Sequence, residues 1–139
     1  MKPEIWGPST WVFLHSITLN YPDNPTDEDK HNITSFFEYI GKVLPCDRCK
    51  VNFRSHLEKN PISDQVVSNK KNLVLWLIDI HNSVNRMNNK PELSHKDALT
   101  KIITQYDCDN RYMIWTAIFL LIFVIFTVIS IIIYKKLKS

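Results

Sequence analysis

The sequence predicts an all-α fold: a four-helix bundle with a short fifth helix, followed by one transmembrane helix. Three observations carry this. Apolar residues recur at three- and four-residue steps up to residue 106, no alternating run of strand length occurs, and residues 112–134 hold no charge. Helix one begins near Ser9 or Thr10 and sets Trp11, Leu14, His15 and Thr18 on one face before Asn20-Tyr21-Pro22 ends it. Helix two opens on Thr26-Asp27-Glu28-Asp29, a capping-box pattern, and presents Ile33, Phe36, Phe37, Ile40, Val43 and Leu44 until Pro45 stops it. Helix three runs from about Cys46 to Asn60 with Val51, Phe53 and Leu57 as core candidates, and Pro61 closes it. Helix four, the longest, spans about Asn69 to Asn88. There Leu73, Trp76, Leu77, Ile80, Val84 and Met87 keep the helical step, and Lys90-Pro91 ends the segment. A fifth helix starts at Ser94, where Asp97 completes a second capping box, and reaches about Tyr106.

A chain of 139 residues holds about one domain and excludes a two-domain enzyme. Its 17 Lys and Arg exceed its 14 Asp and Glu only through Lys135, Lys136 and Lys138. The remainder is formally neutral and lacks the basic face that nucleic acid requires, so no nucleic-acid partner is expected. The only glycines, Gly7 and Gly41, cannot write a dinucleotide fingerprint or a phosphate-cradling loop.

From Tyr112 to Tyr134 only Thr116, Thr127 and Ser130 interrupt an apolar run, and about 20 such residues cross hydrocarbon as a helix. Arg111 and Lys135 bracket the run, with Tyr112, Trp115 and Tyr134 at the interfaces and a basic tail at 135–139. No polar stripe marks a pore, so a single lipid-facing helix is expected. The lysines favour a cytosolic C-terminus, while the start of the chain holds no apolar signal segment. Insertion after translation, as a tail anchor, is the expected arrangement and leaves residues 1–111 in the cytosol. Use of the sequon Asn32-Ile33-Thr34 would mark the opposite topology.

Of the three cysteines, Cys46 and Cys49 form Pro45-Cys46-Asp47-Arg48-Cys49 at the predicted start of helix three, and Cys108 stands alone. Free backbone N–H groups at a helix N-terminus favour a thiolate, and Arg48 and Lys50 add positive potential. Two intervening residues let the sulfurs bond across one turn, which suits disulfide exchange. Other readings of the pair are a zinc site, recruiting Cys108 with His56 or His95, and a static crosslink. A thioredoxin-like site would need a preceding strand. On helix four, His81, Asn82 and Asn85 place several hydrogen-bonding groups inside an apolar stripe, either for a ligand or for neighbouring helices. Trp76 reads as core.

Three separated motifs, Trp6-Gly7-Pro8-Ser9-Thr10-Trp11-Val12-Phe13-Leu14-His15-Ser16, Pro45-Cys46-Asp47-Arg48-Cys49 and His81-Asn82-Ser83-Val84-Asn85 with Lys90-Pro91 beyond, stand in one order. In these the chain resembles the Erv/ALR family of flavin-dependent sulfhydryl oxidases over roughly residues 4–106, and its tail and size resemble the virus-encoded members. The resemblance implies a cone-shaped bundle clasping FAD beside the cysteine pair, usually as a homodimer, with an oxidase domain over residues 1–108. It implies flavin contacts from Gly7, Thr10, Trp11 and His15 and from His81, Asn82, Asn85 and Lys90, and no metal. It places Cys49 against the flavin ring and leaves Cys46 to receive electrons from thiol-containing protein substrates. Those electrons would pass through FAD to dioxygen and yield hydrogen peroxide.

The chain departs from the family at Pro8, where many members carry Arg, and at Leu44, where many carry Tyr. His95 falls where the family's second disulfide would begin. No shuttle pair exists, and Asp107 and Asp109 beside Cys108 disfavour its thiolate. The alternative function is a non-catalytic, membrane-anchored helical binding module whose cysteines hold zinc or a static crosslink.

Overall fold

The structure, a computed structural model, describes residues 1–138 apart from the side chains of 107–111, so Cys108 lies outside the described residues. Every regular element among them is helical: α1 (Pro3–Leu19), α2 (Asp27–Val43), α3 (Asp47–Lys59), a 3-10 turn at Val66–Ser68, α4 (Lys70–Met87) and α5 (His95–Lys138). The chain falls into two units, Met1–Leu99 and a second from Thr100 onward.

α1 starts at Pro3 rather than near Ser9. Pro3 sits where a helix needs no N–H, and Pro8 forfeits only the bond to the carbonyl of Glu4, next to the exposed helix start. Leu14, His15 and Thr18 are buried and Trp11 packs against the core. The capping box of α2 forms as the sequence implies: Asp29 N–H donates to Thr26 Oγ1 at 3.1 Å, and Thr26 N–H donates to Asp29 Oδ2 at 2.8 Å. Ile33 and Phe37 are buried and Phe36, Ile40 and Leu44 pack around them. Val43, expected inward, is 73% exposed because it lies about 120° around the helix from Phe37. Val51 of α3 is likewise 64% exposed, two residues and about 200° from buried Phe53.

α4 follows its prediction closely, with Asn69 as the cap that accepts from Asn72 N–H at 2.9 Å. Leu73, Trp76, Leu77 and Ile80 are buried, Val84 is half-buried, and Met87 at the helix end is exposed. Trp76 is a core residue, edge-on to Phe37 with centroids 4.9 Å apart, and its Nε1 donates to the Asn60 carbonyl at 3.0 Å. A Cβ on Gly41 would stand 3.1 Å from Phe53 Cδ1, so the glycine sets how closely α2 and α3 approach.

These contacts also fix helix direction. Tyr21 OH donates to the Val67 carbonyl at 2.9 Å at one end of the bundle, while His15 meets His81 farther along, so α1 runs antiparallel to α4. The last residue of the α3 cap, Asn60, meets Trp76, while His56 feels Arg86, so α3 is antiparallel to α4 as well. The N-termini of α1 and α3 and the C-terminus of α4 therefore share one end.

The predicted fifth helix and span form one helix, His95–Lys138, because neither proline nor glycine intervenes after Pro91. Its start is capped by Ser94, whose hydroxyl donates to Asp97 Oδ2 at 2.7 Å and accepts from Asp97 N–H at 3.1 Å. Residues Tyr112–Lys138 are long and apolar enough to cross a membrane. Its 27 residues extend about 40 Å against a hydrocarbon core of about 30 Å.

Candidate functional site

Cys46 is the N-cap of α3, in extended backbone, and Cys49 occupies its first turn. Two residues between them bring the Cα atoms to 5.1 Å, and the sulfurs are joined in a disulfide. The cap is made by sulfur itself: Cys49 N–H donates to Cys46 Sγ at 3.3 Å. The pair thus sits at the positive end of the α3 dipole, where a thiolate is stabilised. Lys50 pairs with Asp47 at 3.0 Å, which leaves exposed Arg48 as the nearer unpaired cation.

Across the interior, α1 and α4 build a cluster of rings. Trp11 stacks on His81 with centroids 3.9 Å apart and planes 4° from parallel. His15 Nε2 and His81 Nδ1 share a hydrogen bond at 3.1 Å. His15 is buried, its Nδ1 has no partner, and burial lowers its pKa from 6.5 to about 4. The ring is therefore neutral at pH 7. The helical step set Trp11 and His15 on one face, the family resemblance added His81, and the structure brings the three rings together.

The remaining predicted contacts divide. Gly7, one turn before Trp11, is half-buried, and a Cβ on it would meet nothing within 4 Å, so α1 borders open space there. Thr10 is half-buried with its hydroxyl donating to the Trp6 carbonyl at 3.0 Å. Asn82 Nδ2 donates to the Leu93 carbonyl at 2.8 Å, and Leu93 N–H donates to Asn82 Oδ1 at 3.1 Å. One of its two amide hydrogens and one oxygen lone pair are thus taken by the returning 88–94 segment. Asn85 and Lys90 meet through backbone: Lys90 N–H donates to the Asn85 carbonyl at 2.8 Å and Asn89 N–H to Arg86 at 3.1 Å. This is a Schellman close, with Asn89 at φ 55° in the left-handed region. It presents exposed Lys90 at the bundle end that holds the disulfide.

Two residues escaped the sequence reading of flavin contacts. Trp6 Nε1 and His56 Nε2 are buried without a partner, as is His15 Nδ1. His56 lies seven residues after Cys49, on the same face of α3 as Cys49 and Phe53. Burial, Lys59 and Arg86 together lower its pKa. The i, i+7 spacing was the available signal for His56, and position in the first motif for Trp6. A buried ring nitrogen without a partner costs about 1–3 kcal/mol. Three of them within one small bundle call for an acceptor- and donor-rich guest.

With this geometry described, comparison with known proteins places the chain. The profile of the Erv1 / Alr family matches residues 8–107. A probable FAD-linked sulfhydryl oxidase of Acanthamoeba polyphaga mimivirus is 46% identical over 102 residues, covering 73% of this chain and 71% of the relative. A putative FAD-linked sulfhydryl oxidase of Invertebrate iridescent virus 3 is 30% identical over 107 residues, covering 77% and 72%. The crystal structure of the yeast Erv1 core superposes with a TM-score of 0.64 at 29% identity, over 69% of this chain and 79% of that one. The FAD binding domain of Erv1 from Saccharomyces cerevisiae gives 0.64 at 30% identity, over 69% and 89%. Profile, relatives and fold agree: the chain belongs to the Erv1 / Alr family.

Proposed function

We propose that the chain is an FAD-dependent sulfhydryl oxidase that forms disulfide bonds in protein substrates, with residues 1–108 as the oxidase domain. The observation that carries this reading is the Cys46–Cys49 disulfide at the N-terminus of α3, in a small bundle that also holds three unpartnered buried ring nitrogens. The relatives are named FAD-linked sulfhydryl oxidases. The residues present fit a flavin nucleotide. Trp11 and His81 offer flat faces, Gly7 leaves room beside them, His15 and His56 offer unsatisfied nitrogens, and Asn85 and Lys90 stand at the open end. Asn82 holds the 88–94 segment in place beside them and keeps one amide hydrogen for a guest.

A substrate thiolate attacks Cys46 Sγ, the Cys46–Cys49 bond breaks, and Cys49 leaves as thiolate in the positive potential of the α3 N-terminus and Arg48. The substrate's second thiol, once deprotonated, attacks its own sulfur in the mixed disulfide and releases Cys46. Bound FAD supplies the two-electron acceptor that lets the pair return to its oxidised form, with dioxygen as the final acceptor and hydrogen peroxide as the product. The buried, uncharged His15 keeps this end of the bundle apolar around the rings.

The full chain purified in detergent is expected to be yellow and to release peroxide with dithiothreitol. Cys46→Ser and Cys49→Ser each abolish that release, while Cys108→Ser leaves small-dithiol oxidation largely intact. A colourless, inactive chain overturns the reading.

The partners follow from the same surfaces. α1 and α2 expose Phe13, Tyr39 and Val43, and Phe13 meets Phe36 edge-on at 6.4 Å. That apolar face is assigned to a homodimer, and a sedimentation measurement in which Phe13→Glu with Val43→Glu leaves the mass unchanged would remove it. Residues 112–134 anchor the chain as a single-pass membrane protein with residues 1–111 in the cytosol; glycosylation of Asn32 would reverse that orientation.

A further inference from the structure

Trp6 belongs to no role described so far, yet it carries one of the three buried unpartnered ring nitrogens. At about 100° per residue it falls on the side of α1 that holds Phe13, whose ring meets Phe36 of α2. Trp11 and His15 turn instead toward His81 of α4. Gly7 and buried Leu14 lie between these two directions, and at Gly7 the space is open. Trp6 therefore flanks the opening opposite the Trp11–His81 stack. It is also on the cysteine side, because the backbone just ahead of it reaches the turn before Cys46: the Met1 amine donates to the Pro45 carbonyl at 3.2 Å.

An indole N–H can only donate, and it has no second use. Its own helix cannot accept it, since the Trp6 carbonyl already takes the Thr10 hydroxyl and helical carbonyls point along the axis. Of its one-turn neighbours on α1, Thr10 already spends its hydroxyl proton on the Trp6 carbonyl, which leaves the indole as the buried donor on this flank. A donor kept buried and unpaired is tolerated when its acceptor arrives with a ligand.

We propose that the Trp6 indole N–H donates a hydrogen bond to an acceptor on the flavin ring lying against the Cys46–Cys49 disulfide. This rests on the FAD reading above. Trp6 acts as a binding residue on the disulfide side of the ring, opposite the contacts from Trp11 and His81.

Trp6→Phe deletes the donor and keeps an aromatic ring. In the full chain in detergent, stripped of flavin and titrated with FAD, it is expected to weaken binding roughly three- to tenfold. The carbonyl-stretch bands of the flavin in the reloaded variant shift toward those of a less hydrogen-bonded ring, a readout independent of turnover. The stripped variant melts no lower than the stripped parent, because an orphan donor has gone. An affinity within twofold of the parent, unchanged carbonyl bands, or a lower melting point of the stripped variant each overturn the proposal; the last would show a partner within the protein. Trp6→His, which restores a ring N–H, is expected to recover part of the affinity and the band position. A parent chain that takes up no flavin at all sinks the FAD reading itself, which keeps the two failures apart.

Discussion

Burial takes water away from the His15 imidazole, so its proton is lost near pH 4 rather than 6.5. Between those values the unfolded chain binds the proton and the folded chain does not. Stability therefore falls as the solution is acidified through that window and is fully present above it. The full effect is on the order of 3 kcal/mol. Denaturation midpoints of the full chain are expected to drop between pH 7 and pH 4.5, and His15→Asn should flatten that dependence. An equally steep profile in the variant would place the titration elsewhere. At this scale the sequence was legible where chemistry and periodicity coincide. Trp11 and His15 were legible as neighbours because the helical step sets them on one face of α1, whereas His81 joined them only through the family resemblance. The bond of Asn82 to Leu93 was not legible, because a side chain's hydrogen-bonding capacity says nothing about whether a loop eleven residues later returns to meet it.

Helix boundaries followed from capping chemistry wherever a polar cap stood before the apolar run, as at Thr26, Asn69 and Ser94. They were less legible at α1, whose start was expected near Ser9 or Thr10, although a proline at position 8, so near the helix start, costs a single bond. Val43 and Val51 are apolar but turned outward by the helical pitch, and the 3-10 turn at Val66–Ser68 is too short to show any period. The junction of α2 and α3 supplies a test. Ala favours a helix over Gly by about 1 kcal/mol, but its methyl on residue 41 would press on the Phe53 ring, and such overpacking costs about 1–3 kcal/mol. Phe53 is buried and one turn from Cys49, so the clash wins. Gly41→Ala is expected to lower the melting temperature by several degrees. An unchanged or raised value would mean the ring yields freely.

For the molecule as a whole, composition alone separated a neutral helical portion from a long uncharged run, because hydrocarbon tolerates so few sequences. That the run joins α5 without a break was not legible, since an absence of breakers permits continuity without requiring it. The full chain is expected to stay in the membrane pellet through alkaline carbonate, while a fragment ending near residue 110 is released. Release of both would disqualify residues 112–134 as an anchor.

The sulfur cap of α3 ties electron occupancy to backbone order. Cys46 Sγ accepts the amide of Cys49 while it is still half of a disulfide, and a weak acceptor at that. Two added electrons break the S–S bond and leave two sulfurs at thiolate level, of which Cys46 Sγ faces the same N–H, and charge-assisted bonds of this kind are roughly twice as strong. Fraying at the start of α3 should then be slower when the protein is charged with electrons than when it is empty. Deuterium uptake at the Cys49 amide under anaerobic dithionite reads this directly, and faster uptake on reduction would break the link.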